Sequence, residues 1–262
     1  MLERFRKAKA AEVAALEALH AAGRMPAPNP MPRPSFTGAL RAKTTAPVIA
    51  EYKRASPSRG ALNLSVSPEE AATAYAAAGA GALSVLTEED YFKGSLSFLH
   101  RAAGAGLPLL RKDFILHPLQ IEQTAATQAS AVLLIARMVE GGLLRELLAQ
   151  SRRYGLEPVT EVFTRADLDA ARQAGATILQ VNNRDLDTLR VNLDCSRALV
   201  AEKAQGEFWI TASGIERPEQ LEELLARGFD AALVGSALMQ DGDPGSALRT
   251  LLRTVPPATG GQ

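Results

Sequence analysis

With 262 residues, 47% of them hydrophobic and 22% charged, the chain is long enough to bury one sizeable core. Its 29 basic and 29 acidic side chains cancel, so no net field exists to gather nucleic acid or an anionic membrane. The single Cys195 excludes an intrachain disulfide, and with neither a secretory signal nor an apolar run of bilayer length the expected compartment is the cytoplasm.

Residues 1–23 read as a charged, alanine-rich helix, residues 25–34 as a proline-rich connector that cannot extend it, and Phe36–Arg41 as a short second helix. From there apolar runs near 47–50, 82–86, 107–110, 131–135, 157–162, 178–182, 207–211 and 231–235 alternate with helix-like stretches at 68–78, 118–128, 141–154, 165–174, 218–227 and 243–253. Strand followed by helix, repeated in this way, implies a parallel sheet. At about 20 to 30 residues per unit its economical closure is a (β/α)8 TIM barrel with an N-terminal helical extension. An open doubly wound sheet would carry a glycine-rich dinucleotide turn after its first strand, where this chain has Glu51-Tyr52-Lys53. The expected organisation is an extension over 1–45 that covers part of one barrel end, a barrel over 46–254 and a flexible tail over 255–262, with no second domain.

Barrels of this kind carry their sites at the C-terminal ends of the strands. Glu51 and Lys53 stand two apart at the first of those ends and so share a strand face, where burying both charges is costly unless they are paired or meet a ligand. Arg111-Lys112-Asp113 closes the third strand, Glu161 the fifth, Asn182-Asn183-Arg184 the sixth, Ser213-Gly214 the seventh and Gly235-Ser236 the eighth. Solvated rim residues would not gather at so many ends of one face. The two glycine turns after strands seven and eight suit a phosphate, to which Ser56 after strand one could add a hydroxyl. Leu86, Phe92, Phe114, Leu133 and Leu186, at or just past strand ends, suggest a flat aromatic group held by apolar side chains at the far end. His20, His100 and His117 lack metal-ligand spacing to one another or to Cys195, which argues against a zinc enzyme or a histidine triad; no metal is expected, and Cys195 reads as an idle thiol.

Taken in order, the segments at 49–60, 83–95 (LSVLTEEDYFKGS), 109–115 (LLRKDFI), 133–135, 157–162 (EPVTEV), 181–189 (VNNRDLDTL) and 234–239 (VGSALM) resemble indole-3-glycerol phosphate synthase of tryptophan biosynthesis, over essentially the whole chain. The resemblance implies a cofactor-free carboxy-lyase that converts 1-(2-carboxyphenylamino)-1-deoxyribulose 5-phosphate to indole-3-glycerol phosphate with loss of carbon dioxide and water. By residue matching, Lys112 is the general acid of ring closure, and Glu161, Glu51 and Lys53 serve dehydration. Asn182 binds substrate hydroxyls, Arg184 supports the strand-six loop, and Ser213, Gly214, Gly235 and Ser236 hold phosphate. Lys53 also receives the substrate carboxylate.

Two positions depart from the family. Ala212 stands where the family usually reads glutamate before Ser-Gly, which removes a charge facing the same cavity as Glu51 and Glu161. Phe163, where histidine or asparagine is frequent, is read as a packing change. Two other readings stay open at this stage. A related barrel such as phosphoribosylanthranilate isomerase would use a cysteine–aspartate pair for which Cys195 is misplaced, and a non-catalytic or repurposed paralog would bind the phosphorylated ligand without needing Lys112, Glu51 and Glu161. The expected partner is a small phosphorylated molecule, with neither nucleic acid nor membrane, acting on a monomer or weak homodimer.

Overall fold

The computed structural model describes residues 2–185, 188–240 and 242–253, so Leu186 and the tail at 255–262 lie outside the described residues. Strands β1 (Val48–Tyr52), β2 (Ala82–Leu86), β3 (Leu109–Lys112), β4 (Ala131–Ile135), β5 (Glu157–Val162), β6 (Ile178–Asn182), β7 (Phe208–Ala212) and β8 (Ala231–Val234) pair in parallel with their sequence neighbours, and β1 pairs with β8 to close the barrel. Side chains alternate across each strand. Ile49, Leu110, Leu133, Val159, Ile210 and Leu233 fill the interior, whereas Val48, Leu83, Val132, Leu134, Leu179 and Trp209 face the outer helices.

Those helices are α3 (Pro68–Ala78), α4 (Ser97–Ala102), α5 (Pro118–Ala125), α6 (Gly141–Arg153), α7 (Arg165–Ala174), α8 (Asp194–Leu199), α9 (Pro218–Ala226), α10 (Ser236–Met239) and α11 (Pro244–Leu252), preceded in the extension by α1 (Leu2–Ala21) and α2 (Phe36–Arg41). Local chemistry sets several of their ends. Ser67 and Glu70 form a capping box before α3, Thr164 and Asp167 do so before α7, and Gly79 and Gly175 close both helices in the left-handed region. The six-residue α4 and α8 are weakly marked in the sequence because Leu96 and Leu193 offer no side-chain cap and both helices tighten at once into a 3₁₀ turn. Strand β3 runs two residues later than the apolar pattern suggests, since Pro108 cannot donate to the ladder.

The extension covers both ends of the barrel, where coverage of one was expected. At the C-terminal end α1 crosses the loops after β2, β3 and β4. Arg6 donates to the Met138 carbonyl at 3.0 Å, Lys9 pairs with Asp113 at 2.6 Å, and the Phe5 ring stacks on Phe114 with centroids 4.0 Å apart. Asn29 in the connector donates its backbone N–H to Ala125 at 2.8 Å on the way down the barrel wall. At the opposite end the Glu157 carboxylate, on the first residue of β5, accepts from the Phe36 and Thr37 N–H groups and from the Ser35 and Thr37 hydroxyls, while Arg41 lies 5.3 Å from the Phe208 ring at the start of β7.

Candidate active site

The C-terminal strand ends surround a cavity of about 830 Å³, partly open to solvent. Its floor is charged. Glu51 and Lys53 leave β1 on the same face and pair at 2.9 Å, and Ser84 from β2 donates to the second Glu51 oxygen at 3.1 Å. Lys112 from β3 approaches Glu161 of β5 at 3.5 Å, and both line the cavity. Burial works to raise the Glu51 carboxyl, but the charges of Lys53 and Lys112 outweigh it and hold that carboxyl below the usual glutamate range.

One wall is apolar. Leu86, Phe92, Phe114 and Leu133 face the cavity, and the Phe92 and Phe114 rings lie 6.3 Å apart. Phe5 joins them from α1 and also meets Tyr91 edge-on at 5.2 Å. The β2 loop that carries Phe92 is wound around Glu88, whose carboxylate accepts from the N–H groups of Asp90, Tyr91 and Phe92 at 2.8–3.0 Å. Gly94 closes that loop so tightly that a Cβ there would sit 2.5 Å from the Leu86 carbonyl oxygen.

Opposite this wall the cavity continues into a recess lined by Ser213, Gly214, Gly235 and Ser236, with Glu51, Lys53 and Arg184 at its edge. Ser213 adopts φ +70° and Gly214 φ +83°. A non-glycine residue in the left-handed region persists only where its surroundings hold it. Here the Asn183 side-chain amide donates to the Thr211 hydroxyl at 3.2 Å and to the Ala212 and Ser213 carbonyls at 3.0 and 3.1 Å, clamping the turn from behind. Burial, and then the nearby Arg59 charge, lower the Arg184 guanidinium, which donates to the Leu189 carbonyl at 3.0 Å. Asn182 lines the main cavity and accepts from the Arg184 N–H at 2.9 Å. Ser56 lies in a two-residue hairpin at the mouth, lining the cavity rather than the recess, and its hydroxyl accepts from the Arg59 N–H at 3.2 Å.

The site therefore brings together the described residues that the sequence singled out, apart from Arg111, which turns outward, and Asn183, which acts from behind its turn, and sets an acidic and basic floor between an aromatic wall and a glycine-lined recess. A family model described as indole-3-glycerol phosphate synthase matches residues 2–251. The chain belongs to the indole-3-glycerol phosphate synthase family. Relatives carrying that name include those of Carboxydothermus hydrogenoformans, 43% identical with 80% of this chain and 81% of the relative covered, and of Mycolicibacterium vanbaalenii, 41% identical with 94% and 88% covered. Among solved structures, 3-hexulose-6-phosphate synthase from Salmonella typhimurium superposes with a TM-score of 0.62 over 79% of this chain and 97% of that one. Its 14% identity carries the barrel fold alone.

Within this family member several contributors lie outside the motifs. Phe5 is the aromatic residue of an otherwise alanine-rich helix, a signal visible only once that helix is known to cross the mouth. Arg111, read with Lys112 and Asp113 as one strand end, turns away to reach Asp113 at 3.1 Å and Glu12 at 3.2 Å, while Asp113 lines the cavity and binds Lys9. Ala212 does line the cavity, and Phe163 packs its ring 4.1 Å from the Arg137 guanidinium.

Proposed function

We propose that the protein is itself an indole-3-glycerol phosphate synthase, converting 1-(2-carboxyphenylamino)-1-deoxyribulose 5-phosphate to indole-3-glycerol phosphate, carbon dioxide and water in tryptophan biosynthesis. Family membership supports the reading, and one observation carries it: the Lys112 ammonium stands on the floor between the aromatic wall and the recess, 3.5 Å from Glu161. A substrate with phosphate in the recess of Ser213, Gly214, Gly235 and Ser236, and its carboxyphenyl ring against Phe5, Leu86, Phe92, Phe114 and Leu133, holds its ribulose carbonyl above that ammonium.

Lys112 donates a proton to the carbonyl oxygen while the ring carbon bearing the carboxylate attacks the carbonyl carbon. Loss of carbon dioxide returns the electron pair to the ring. The new hydroxyl then departs as water and a proton is removed, completing the indole. We assign proton removal in this step to Glu161, which stands against Lys112 at the reacting centre, whereas Glu51 is bound by Lys53 and Ser84. Glu51 instead holds Lys53 toward the substrate carboxylate, and Asn182 meets the sugar hydroxyls. A barrel that only bound the ligand would have no use for this acid and these carboxylates.

No helix among the described residues is long and apolar enough to cross a membrane, and the reading includes a cytoplasmic monomer or weak homodimer. Following indole fluorescence after adding the carboxyphenylamino substrate tests the whole assignment. Turnover is expected; binding of substrate without product would favour a non-catalytic barrel.

A further inference from the structure

Beneath the cavity floor, one polar side chain of the barrel interior is not accounted for by any step above. Gln180, on β6, is fully buried, and its register partner across β5 is Glu161. Its Nε2 donates to the Glu161 Oε2 at 2.5 Å, the same oxygen that Lys112 approaches at 3.5 Å. The Gln180 Oε1 is buried without a hydrogen-bond partner. An amide left half-satisfied inside a barrel costs stability that an apolar residue would not incur. Across β7 the pairs are Gln180 with Ile210 and Asn182 with Ala212, so the polar group that reaches Glu161 comes from one layer below the position where the family's glutamate is missing.

We propose that Gln180 is a positioning residue for the reaction: its amide fixes the Glu161 carboxylate toward the reacting centre, leaving Lys112 free to turn to the substrate. This rests on Glu161 being the proton acceptor. A short neutral donor can hold a carboxylate without competing for the lysine charge, whereas a second ammonium at that distance would neutralise the base. The other charged groups facing the same space are Lys112 from β3, Asp113 just after it, Glu51 and Lys53 from β1, Arg184 after β6 and Glu88 in the β2 loop, none of which is in hydrogen-bond contact with Glu161 except Lys112.

The test is steady-state kinetics against pH for Gln180→Met, which keeps length and removes the donor, and Gln180→Glu, which keeps shape and adds a like charge, each with its melting temperature. Gln180→Met is expected to lower kcat about 10- to 100-fold with KM changed less than about twofold, and to move the acidic limb of kcat to higher pH. Gln180→Glu should move that limb further, because two carboxylates then share one site. A parental limb in folded Gln180→Met, or a lower kcat with the limb unmoved, overturns the proposal; should Gln180→Met fail to fold, a parental limb in the isosteric Gln180→Glu does the same. Glu161→Gln separates the two levels. Full activity there overturns the assignment of Glu161 itself, whereas lost activity there with unmoved limbs in both Gln180 variants overturns only the role of Gln180.

Discussion

The cavity floor holds two lysine–glutamate pairs built in opposite ways. Glu51 and Lys53 are neighbours on one strand, meet at 2.9 Å, and are braced by Ser84 and by Gly235, where a Cβ would fall 2.3 Å from the Glu51 carboxylate. Lys112 and Glu161 come from separate strands, stand 3.5 Å apart, and share an oxygen with the shorter Gln180 bond. A braced pair keeps its charges where they are. A loose pair can release a proton, so the difference assigns electrostatic anchoring to the first and acid–base work to the second.

The hardest blow to that contrast is Lys112→Met, which removes the acid and keeps approximate length. We expect kcat to fall about 10²–10⁴-fold while KM changes little, measured by indole fluorescence. A variant keeping more than half the parental rate would remove Lys112 from the mechanism.

Ala212→Glu places a third carboxylate between the two pairs. If it recovers one charge-assisted hydrogen bond of about 1.5–3 kcal/mol, kcat/KM should rise roughly 10- to 150-fold. If the interior has instead repacked around alanine, the melting temperature falls and the rate does not gain, so both quantities are read on the same protein.

Gly235→Ala attacks the braced pair from outside, since the new methyl group displaces the Glu51 carboxylate and narrows the recess. Inorganic phosphate should compete with substrate in the parent. In the variant KM should rise about tenfold, or about 1.4 kcal/mol, with phosphate competition weakened in parallel. An unchanged phosphate inhibition constant would detach the recess from phosphate binding.

The smallest expected effect is on acid stability. The Asp113 carboxyl is driven up by burial but held below its usual range by the stronger pull of Arg111 and Lys9, as Glu51 is by Lys53 and Lys112. A depressed carboxyl contributes stability that is complete above its unfolded value of about 4 and is lost as pH falls through the folded value. Thermal melts should therefore drop steeply below about pH 4, at about 2–4 °C per kcal/mol. Asp113→Asn should be less stable than the parent at pH 7 and lose less between pH 7 and pH 3; an equal loss in both would place the acid sensitivity elsewhere.

Much of this floor was legible in the sequence because its signals are local. Glu51 and Lys53 share a face by strand geometry alone, and Ser213-Gly214 and Gly235-Ser236 announce their turns. The strand–helix alternation gave the barrel for the same reason. What escaped depends on chain segments far apart: Phe5 meets Phe114 only through the crossing of α1, Asn183 clamps the Ser213 turn from the next strand, and Gln180 faces Glu161 by barrel register. Arg111 sits beside Lys112 in sequence, yet strand alternation sends it to the helix layer, so adjacency along the chain was there a poor guide.

The extension that spans both barrel ends also bears on the order of assembly. Asp113, Phe114 and Met138 meet residues of α1, and Glu157 meets Phe36 of α2, that lie more than a hundred positions earlier in the chain. Contacts of such separation form late, after loop closure has been met by the strands between them. On a ribosome the first helix must therefore wait for these partners until about half the barrel has emerged. The aromatic wall of the cavity is then finished by the oldest segment of the chain, and catalytic competence waits on a contact between segments more than a hundred residues apart.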